Sequence, residues 1–396
     1  MPRRGQRDHP LVPLRVGGKV LSAPRVVIVG AGILGTMHAV MARRAGFEVT
    51  HLDRHTEPRG ATVRNFGLVW VSGRAPGDEL RVALRARELW AELGGRAEVG
   101  WRPDGSMTLV TTDAELEVLQ QVMARDDAAD RGFRLLDPVS VRAVNPALRG
   151  SFLAGLHCTA DGVVEPRRAL PALRSMLDAD GGYWFTGGVT VRSVAPGAVQ
   201  DDAGRRYEGD VVVVCAGAEH GGPIAELLVD APLRRCRLQM MQTEPLGERL
   251  STSLADGDSL RYYPAFAVPA LDGLPPQDEV PARLKMQLLV SQRAGGELTI
   301  GDTHQYDEPF AFDLEESAYE VLRTRLEGFL GRSLPKVVRR WAGVYSQVTD
   351  GGICHRAEPM SGVHVVTGPG GRGMTLSPAI AEETMRAVTE TTGSLA

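Results

Sequence analysis

The segment 25–54, RVVIVGAGILGTMHAVMARRAGFEVTHLDR, constrains the fold more than any other part of the chain. It starts with Arg25–Val29, an almost entirely apolar run that is typical of a buried parallel strand. A G-x-G-x-x-G turn follows at 30–35, then a helical stretch that Gly46 ends, then a second strand over Glu48–Asp53. This order predicts a strand–helix–strand unit at the start of a parallel sheet.

Each glycine of this turn has its own physical role. Gly30 lets the chain reverse tightly, Gly32 removes a Cβ so that a diphosphate can approach the backbone, and Gly35 lets the helix pack on the strand. The helix N-terminus presents free N–H groups and a partial positive charge to the phosphates. Asp53 ends the second strand 18 residues after Gly35, where a carboxylate can accept hydrogen bonds from a ribose diol. Together these features predict a dinucleotide-binding site.

The composition limits the broad class of the protein. The chain has 396 residues, of which 43% are hydrophobic and 24% charged, and its net charge is −4. We therefore expect a globular protein of roughly two or three domains that has neither a nucleic-acid nor a membrane partner. The four cysteines form no C-x-x-C pair, so neither a metal site nor a disulfide framework is predicted, and the cytoplasm is the expected compartment.

The first 24 residues are basic and rich in proline and glycine. They lack the apolar run of about 7–15 residues that a signal peptide needs. We expect residues 1–24 to form a flexible tail, with docking on a neighbouring subunit as the alternative.

Hydrophobic spacing and turn residues predict the coarse order of elements that follows. Helices are predicted over 78–98 and 113–130, and strands in 105–112, as a pair in 181–196, as a buried parallel strand in 210–218, and throughout 233–310. The stretch 312–331 predicts a helix with Asp313 as its N-cap and Glu316 completing a capping box. In the last helix, Ser377 is predicted to be the cap and Pro378 to lie in the first turn.

Two further glycine-bearing segments accompany the first turn: GATVRNFG at 60–67 and GGRGMT at 370–375. Ala39 extends the first turn to G-x-G-x-x-G-x-x-x-A, and Asp53 stands where Glu is more common. From about residue 25 onwards the chain resembles the glycine oxidase, sarcosine oxidase and D-amino-acid oxidase family of flavoproteins. The resemblance implies FAD as the cofactor. A nicotinamide cofactor would fit the first unit alone, but such dehydrogenases usually continue with regular strand–helix units.

The resemblance also implies an α/β (α+β) fold. A Rossmann-like FAD-binding domain on a parallel sheet is expected beside a substrate domain with a large antiparallel sheet. Both domains should be discontinuous, because flavin-contacting motifs lie at both ends of the chain. The FAD-binding domain is assigned to 25–80, 150–230 and 340–396, and the substrate domain to 81–149 and 231–339.

The residues expected to contact FAD come from these motifs and from one position, Val189, at which the family reads adenine with its backbone. They are Gly30, Gly32, Ile33, Leu34, Gly35, Asp53, Arg54, Ala61, Thr62, Arg64, Asn65, Phe66, Gly67, Val189, Gly371, Arg372, Gly373, Met374 and Thr375. Some family members attach flavin through a cysteine, but the matching stretch here, RRWAGVYSQVTDG, has none. We therefore expect FAD to be held non-covalently, with a linkage to Cys354 or His355 as the alternative.

A narrower match concerns ATVRNFGLVW together with GGRGMTLSPAIAEE. These motifs resemble a bacterial branch that is proposed to act in aminophosphonate breakdown. The resemblance implies oxidative deamination of a small anionic primary amine, such as a 2-aminoethylphosphonate derivative, by hydride transfer to flavin N5 and hydrolysis of the imine. Molecular oxygen is the expected electron acceptor, and a homo-oligomer is left open.

Three arginines are candidates for holding the carboxylate or phosphonate of the substrate: Arg64, Arg261 and Arg372. A guanidinium group suits an oxyanion because it donates two parallel hydrogen bonds, although a chain this rich in arginine also places many of them on its surface. Tyr262 or Tyr263 could donate a hydrogen bond to the substrate, and core packing explains either residue equally well.

His304 and Tyr345 are the remaining catalytic candidates. His304 follows a predicted strand in the substrate half and could bind substrate or assist oxygen activation, while a solvated loop histidine is the alternative. Tyr345 lies near the return of the chain to the FAD-binding domain. No metal ligands are predicted.

Three rival functions stay open from the sequence. The first is an amino-acid oxidase of the glycine or sarcosine type or an N-demethylase, and the sarcosine-type N-demethylase needs room for a secondary amine. A nicotinamide-dependent reductase would keep only the first strand–helix–strand unit in its predicted role. A non-catalytic flavin-binding subunit of a hetero-oligomer would hold flavin that no small amine reduces.

Overall fold

The computed structural model describes residues 15–16, 19–20 and 23–393. Within the predicted tail it describes two short strands that pair antiparallel, and the remainder of that prediction lies outside the described residues. In the described part of the chain no helix is long and apolar enough to cross a bilayer. The same residues contain no group of three or more His, Cys, Asp or Glu side chains that could hold a metal ion.

The described helices are separated by strands along most of the chain. The helices are α1 (Ile33–Arg44), α2 (Asp78–Gly94), α3 (Asp113–Met123), α4 (Pro138–Val144), α5 (Pro166–Asp180), α6 (Pro223–Leu227), α7 (Ser259–Tyr262), α8 (Glu279–Leu284), α9 (Glu316–Leu330) and α10 (Gly373–Gly393). Short 3₁₀ turns cover Ala61–Val63, Asp126–Ala128, Pro264–Phe266, Pro269–Gly273 and Gly370–Arg372.

The described strands range from two to thirteen residues. They are β1 (Arg15–Val16), β2 (Lys19–Val20), β3 (Arg25–Val29), β4 (Glu48–Asp53), β5 (Leu68–Val69), β6 (Ser106–Val110), β7 (Phe133–Leu136), β8 (Ala154–Cys158), β9 (Gly162–Val163), β10 (Tyr183–Gly187), β11 (Val191–Ala195), β12 (Ala198–Asp201), β13 (Arg206–Glu208), β14 (Val211–Val214), β15 (Leu233–Pro245), β16 (Ser253–Ala255), β17 (Leu289–Gln292), β18 (Glu297–Gly301), β19 (Val337–Val348), β20 (His355–Met360) and β21 (Val363–Thr367).

A six-stranded sheet contains the first strand–helix–strand unit. Its order is β10-β4-β3-β14-β21-β20, and every neighbouring pair is parallel except that of the edge strand β20. The predicted strands β3, β4 and β14 are confirmed. Apolar side chains of these strands are buried on both faces, against α1, α2, α5 and α10 on one side and the β11–β13 sheet on the other.

An eight-stranded sheet forms the second large layer. Its order is β19-β15-β18-β17-β16-β6-β8-β7, and its pairs are antiparallel except for β16 with β6. One apolar cluster packs α9 against this sheet, and a second joins α3 and α7 to it. A parallel Rossmann-like sheet beside a large, mainly antiparallel sheet confirms the predicted fold class.

The division of the chain between domains stays a proposal, and the two sheets suggest how to refine it. Strands β8 and β19 pair within the eight-stranded sheet, although the sequence boundaries place β8 and most of β19 in the FAD-binding domain. We propose that the boundaries follow strand pairing, so that both strands belong to the substrate domain.

Several local predictions are wrong. Strands β10 and β11 do not pair with each other, because the chain turns at Gly188, whose φ is 76°, and enters a different sheet. Helix α9 begins at Glu316 without a capping side chain. Asp313 is not its N-cap, because the residues before the helix are tied to β15: Arg237 donates to the Asp313 carbonyl, and Gln239 accepts from the Glu315 N–H.

The last helix also starts earlier than predicted. Helix α10 begins at Gly373, and Ser377 lies inside it, where its hydroxyl donates to the Gly373 carbonyl rather than capping the N-terminus. Pro378 lies inside the helix and has no N–H to donate to the Met374 carbonyl, which accepts instead from the Trp90 indole N–H at 2.9 Å. The helix N-terminus therefore coincides with the second glycine-rich turn.

Helix α1 packs against the carboxyl ends of β3 and β14 and leaves no space for a side chain at Gly35. A Cβ at this position would lie 1.8 Å from the Gly30 carbonyl oxygen. We expect Gly35→Ala to lower the free energy of unfolding by roughly 1–3 kcal/mol or more, because backbone must move to admit the methyl group. Urea unfolding of the FAD-free protein measures this.

Gly328→Ala is the matched control for that substitution. Gly328 also lies in a helix, but a Cβ there has no heavy atom within 4 Å. We expect this variant to be as stable as the wild type or slightly more stable. Equal urea midpoints for Gly35→Ala and the wild type would contradict the contact.

Candidate active site

One cavity of about 1220 Å³ is lined by residues of both large sheets. Its volume exceeds the roughly 300–1,000 Å³ of typical small-molecule sites, so it has room for more than one small ligand. The segments 30–35, 60–62, 64–66 and 370–375 line it together with Asp53 and Val189. Apart from Gly67, all residues predicted to contact FAD line this cavity.

Gly67 lies behind the cavity wall. Its φ is 75°, and a Cβ would lie 2.1 Å from the Val164 carbonyl oxygen. The Val164 N–H donates to its carbonyl at 2.8 Å. Gly67 therefore allows a close backbone contact and does not contribute to the cavity surface.

Of the three glycines in the first turn, only Gly32 has free space where a side chain would be. A Cβ at Gly30, whose φ is 98°, would lie 2.2 Å from the Cys215 carbonyl oxygen, so Gly30 and Gly35 are required by the chain itself. A Cβ at Gly32 would meet only the Thr62 hydroxyl, at 3.4 Å. Because Gly32 lines the cavity, its missing side chain leaves room for a ligand beside the N-terminus of α1.

Asp53 fixes the shape of this turn. One of its carboxylate oxygens accepts from the Ala31 N–H and the other from the His55 N–H, both at 2.7 Å. Its carbonyl accepts from the Val189 N–H at 2.9 Å, which brings that residue to the cavity. Arg54 forms an ion pair with Glu219 at 2.7 Å at the cavity edge.

The segment 60–67 is organised by Asn65. Its side-chain amide donates to the carbonyls of Ala61 and Thr62, and its side-chain carbonyl accepts from the Gly67 N–H. Thr62 in turn accepts from the Ile33 N–H at 3.0 Å. This segment is therefore joined directly to the first turn of α1.

The second glycine turn is held to neighbouring elements by Arg372. Its guanidinium donates to the carbonyls of Pro369, Gly352 and Ile353 and to the carboxylate of Glu79. Because Nε, Nη1 and Nη2 of Arg372 all donate to acceptors within the protein, this side chain holds the turn in place. Its predicted role as a substrate anchor is not supported.

The side chain of Thr375 joins this turn to the segment that follows 60–67. Its hydroxyl accepts from the Trp70 N–H at 2.9 Å. A Cβ at Gly371 would lie 3.5 Å from the Tyr345 hydroxyl and 4.0 Å from the Tyr262 hydroxyl. The N-terminus of α10 therefore faces Tyr345 of β19 and Tyr262 of α7.

Tyr345 and His304 both line the cavity, as the sequence predicts. The Tyr345 hydroxyl is buried beside the Cys236 thiol. The His304 ring stacks on Tyr262 at 4.1 Å, and its Nδ1 donates to the Lys285 carbonyl. Burial lowers the pKa of His304 to about 4, so the ring is neutral near pH 7.

Arg261 does not line the cavity, contrary to its predicted role as a substrate anchor. Its guanidinium pairs with Asp258 at 3.5 Å and donates to the Pro275 carbonyl. Arg261 and Tyr262 are consecutive in α7, where successive side chains point about 100° apart. Tyr262 lines the cavity and Arg261 points away from it.

Arg74 is a cavity residue that sequence reasoning missed. It is buried, its Nε donates to the Trp70 carbonyl at 2.9 Å, and its guanidinium carbon lies 5.4 Å from the centre of the Tyr263 ring. Glu79 pairs with Arg74 at 3.5 Å and with Arg372 at 3.2 Å. Although burial opposes the charge, these two guanidinium groups keep the pKa of Glu79 below its usual value.

Asp302 is the second residue that was missed. Its side chain lines the cavity with only 6% exposure, and its Oδ1 has no partner within the described part of the chain. Burial raises the pKa of this carboxyl to about 8. The only sequence signal was its position two residues before His304, directly after a strand.

Comparison with known proteins identifies the family. The family model described as FAD dependent oxidoreductase matches residues 25–387. The chain belongs to this family of FAD-dependent oxidoreductases. Its cofactor is therefore FAD, as the sequence predicted, and a nicotinamide-dependent reductase is excluded as its class.

Individual proteins are similar to this FAD-dependent oxidoreductase over most of their length. An opine oxidase subunit of Agrobacterium tumefaciens is 24% identical, over 82% of this chain and 83% of its own. Glycine oxidase from Bacillus cereus aligns with a TM-score of 0.75 at 16% identity, covering 93% of this chain and 95% of its own. Iminodiacetate oxidase from Chelativorans sp. BNC1 gives 0.71 at 21% identity, covering 93% and 95%. The two structures share the fold.

The residues of the cavity fit FAD. The open side of Gly32 at the N-terminus of α1 suits a diphosphate, and the Asp53 carboxylate suits a ribose diol. The N-terminus of α10 adds a second set of N–H groups at the far end of the chain. Neither Cys354 nor His355 lines the cavity, which favours non-covalent binding.

The raised pKa of Asp302 makes stability depend on pH. An unfolded Asp titrates near about 3.9, so a folded pKa of about 8 stabilises the protein at low pH, and this stability is lost as the pH rises towards 8. At each pH we compare the melting temperature of Asp302→Asn with that of the wild type. We expect the difference, variant minus wild type, to increase from about pH 5 to about pH 8. Thermal unfolding at a series of pH values measures this.

Asp307→Asn is the matched control, because Asp307 is an exposed carboxylate in the same loop. Its melting temperature should differ from that of the wild type by the same amount at each pH. A constant difference for Asp302→Asn as well would contradict the raised pKa.

Proposed function

We propose that this FAD-dependent oxidoreductase removes the amino group of a small anionic primary amine, with 2-aminoethylphosphonate derivatives as the substrate class. The observation that supports this most is that a single cavity combines the two glycine turns with a buried guanidinium, Arg74, and a buried carboxyl, Asp302. Bound FAD supplies the redox chemistry by taking up the two electrons that the amine loses. The chain's own residues bind and orient the substrate and exclude water.

FAD is assigned to the residues that line the cavity near the two glycine turns. In this proposal Gly30–Gly35 holds the diphosphate, Asp53 the ribose, and the backbone at Val189 the adenine. The segment 61–66 and the turn 371–375 are assigned to the flavin. Both helix N-termini would lie beside negative charge, which the helix dipole stabilises.

Arg74 is the proposed anchor for the anionic group of the substrate. Two guanidinium groups, Arg74 and Arg372, share one carboxylate, Glu79, so this cluster has one net positive charge. Arg372 has its donors committed, whereas the hydrogen bonds that Arg74 makes to other described residues use only Nε and Nη1. A guanidinium at the wall of a water-poor cavity binds carboxylate or phosphonate strongly.

The tyrosines are the proposed donors of the site. The Tyr345 hydroxyl is buried beside Gly371 and has the Cys236 thiol, a weak hydrogen-bonding group, as its neighbour, so a substrate oxygen or nitrogen can form a stronger hydrogen bond to it. Burial raises its pKa well above the usual tyrosine value, which keeps it a neutral donor.

A second candidate function is the oxidation of a secondary amino acid. The names of iminodiacetate oxidase and of the opine oxidase subunit, both similar to this chain, favour it. Such a substrate also carries a carboxylate that Arg74 could bind. A non-catalytic role within a hetero-oligomer is the remaining alternative, because the Agrobacterium relative is one subunit of an oxidase.

A substrate panel distinguishes these functions. The FAD-loaded protein is mixed anaerobically with aminophosphonates, glycine, sarcosine, iminodiacetate and D-amino acids, and bleaching of the flavin absorption is followed. We expect the aminophosphonates to bleach the flavin fastest. Bleaching by iminodiacetate or sarcosine alone would favour the secondary-amine oxidase, and bleaching by none would favour the non-catalytic role.

The role of Arg74 is tested with two variants and a control. Arg74→Met should weaken substrate binding by roughly 10- to 100-fold, because a hydrogen bond to a charged group contributes about 1.5–3 kcal/mol. Arg74→Lys should restore part of the loss, since it returns the charge without the planar fork. The dissociation constant from anaerobic stopped-flow reduction is the measurement.

Arg261→Met is the matched control, because Arg261 lies outside the cavity lining. It should bind substrate as the wild type does. If Arg261→Met weakened binding and Arg74→Met did not, the anchor would be the residue that the sequence suggested.

A further inference from the structure

We propose that Asp302 is a catalytic residue whose carboxylate accepts the proton of the substrate ammonium group. This inference rests on the proposed function, because it requires an amine substrate. It assigns a chemical role to a buried carboxyl that neither the motifs nor the family resemblance single out.

The backbone around Asp302 is fixed. Its N–H donates to the Gln287 carbonyl at 2.9 Å, and its own carbonyl accepts from the Gln287 N–H at 3.3 Å. At the preceding residue, Gly301, a Cβ would lie 3.0 Å from the Phe66 ring. Because Phe66 belongs to the segment assigned to flavin, Asp302 lies at the part of the cavity where the two sheets meet.

Asp302 lacks a cationic partner among the described residues: the side-chain hydrogen bond that acts on its carboxyl comes from the neutral amide of Gln287. It forms no ion pair with Lys or Arg among the described residues, and its Oδ1 accepts no hydrogen bond there. An isolated buried charge is costly, so such a group is expected either to be protonated or to await a cation. A substrate ammonium is a cation that the cavity can deliver to it.

The surrounding groups do not supply a fixed positive charge. Asp302 interacts electrostatically with six titratable side chains. They are Tyr262, Tyr263, Tyr306, Cys236, Asp256 and His304. His304 is the nearest base, with Nε2 at 3.8 Å from Oδ2. Since its Nδ1 carries the hydrogen donated to Lys285 and burial keeps the ring neutral, it presents no charge to the carboxyl.

The proton balance of the step is simple. One N–H bond of the substrate ammonium breaks and one O–H bond forms at the Asp302 carboxylate, so the charged pair becomes a neutral amine and a neutral carboxylic acid. No electron is transferred in this step. It leaves the nitrogen lone pair free for the oxidation of the adjacent C–H bond.

Burial favours this transfer. It raises the pKa of Asp302 to about 8, closer to that of an alkylammonium group, which is about 10. General bases work best when the two pKa values are close and near the working pH. In ordinary solvated surroundings an Asp carboxylate would be too weak a base.

The test uses FAD-loaded wild type, Asp302→Asn and the control Asp307→Asn. Anaerobic flavin reduction by the best amine of the panel is followed from about pH 6 to about pH 10. We expect the second-order rate constant of the wild type to rise with pH up to about 8, and Asp302→Asn to be at least about 100-fold slower at pH 7. Asp307→Asn should match the wild type.

Substrate binding supplies a readout that does not depend on turnover. Ethylphosphonate, which lacks the amine, should perturb the flavin spectrum of Asp302→Asn and of the wild type at the same concentration. Only the amine should bind the variant more weakly. Equal reduction rates, pH profiles and amine affinities in Asp302→Asn and the wild type would overturn the proposal.

Amines of different pKa provide a measurement on the wild type alone, which serves if Asp302→Asn does not fold. If Asp302 causes the rise of the rate constant of flavin reduction towards pH 8, the midpoint of this rise is the same for each amine. A midpoint that shifts with the pKa of the amine overturns the proposal. A wild-type flavin that no amine bleaches would instead show that the proposed function itself has failed.

Discussion

Parallel pairing of β3 with β4 and β14 determines where the rest of the site can be. Because all three strands run in the same direction, their carboxyl ends meet at one edge of the sheet. Gly30, Asp53 and Cys215 each lie at the end of one of these strands, and hydrogen bonds from Gly30 to Leu52 and from Cys215 to Val29 tie those ends together. The glycine turn, the acidic residue and the N-terminus of α1 therefore share a single surface.

Two ionisable side chains from different parts of the fold line the cavity beside this edge: Arg74 lies between β5 and α2, and Asp302 directly follows β18 of the eight-stranded sheet. Arg74 and Asp302 both line the cavity, and a short chain of contacts relates them: Arg74 lies over the Tyr263 ring, Gln287 donates to the Tyr263 hydroxyl at 3.4 Å, and Gln287 pairs with the backbone of Asp302. A cavity wall that carries a cation and an acid suits a zwitterionic ligand better than a purely apolar one.

The sequence predicted what local geometry alone decides. Gly30, Gly32 and Gly35 were recognisable because tight turns and close backbone contacts require glycine wherever they occur. Strands β3 and β14 were recognisable because buried parallel strands are almost entirely apolar, and β4 because it completes the strand–helix–strand unit. Arg74 and Asp302 escaped prediction because their burial comes from partners distant in sequence, Tyr263 and Gln287. Arg261 does not line the cavity, whereas Tyr262 and Tyr263, the two residues that follow it, do. Asp313 failed as a cap because Arg237 and Gln239 of β15 bind the residues around it.

The packing of α1 against α10 joins the two ends of the chain. Met37, Val40 and Met41 of α1 belong to the same apolar cluster as Ile380 and Met385 of α10. Each of these helices begins within one of the two glycine turns. A substitution in their contact can therefore shift both turns together, although it lies outside the cavity.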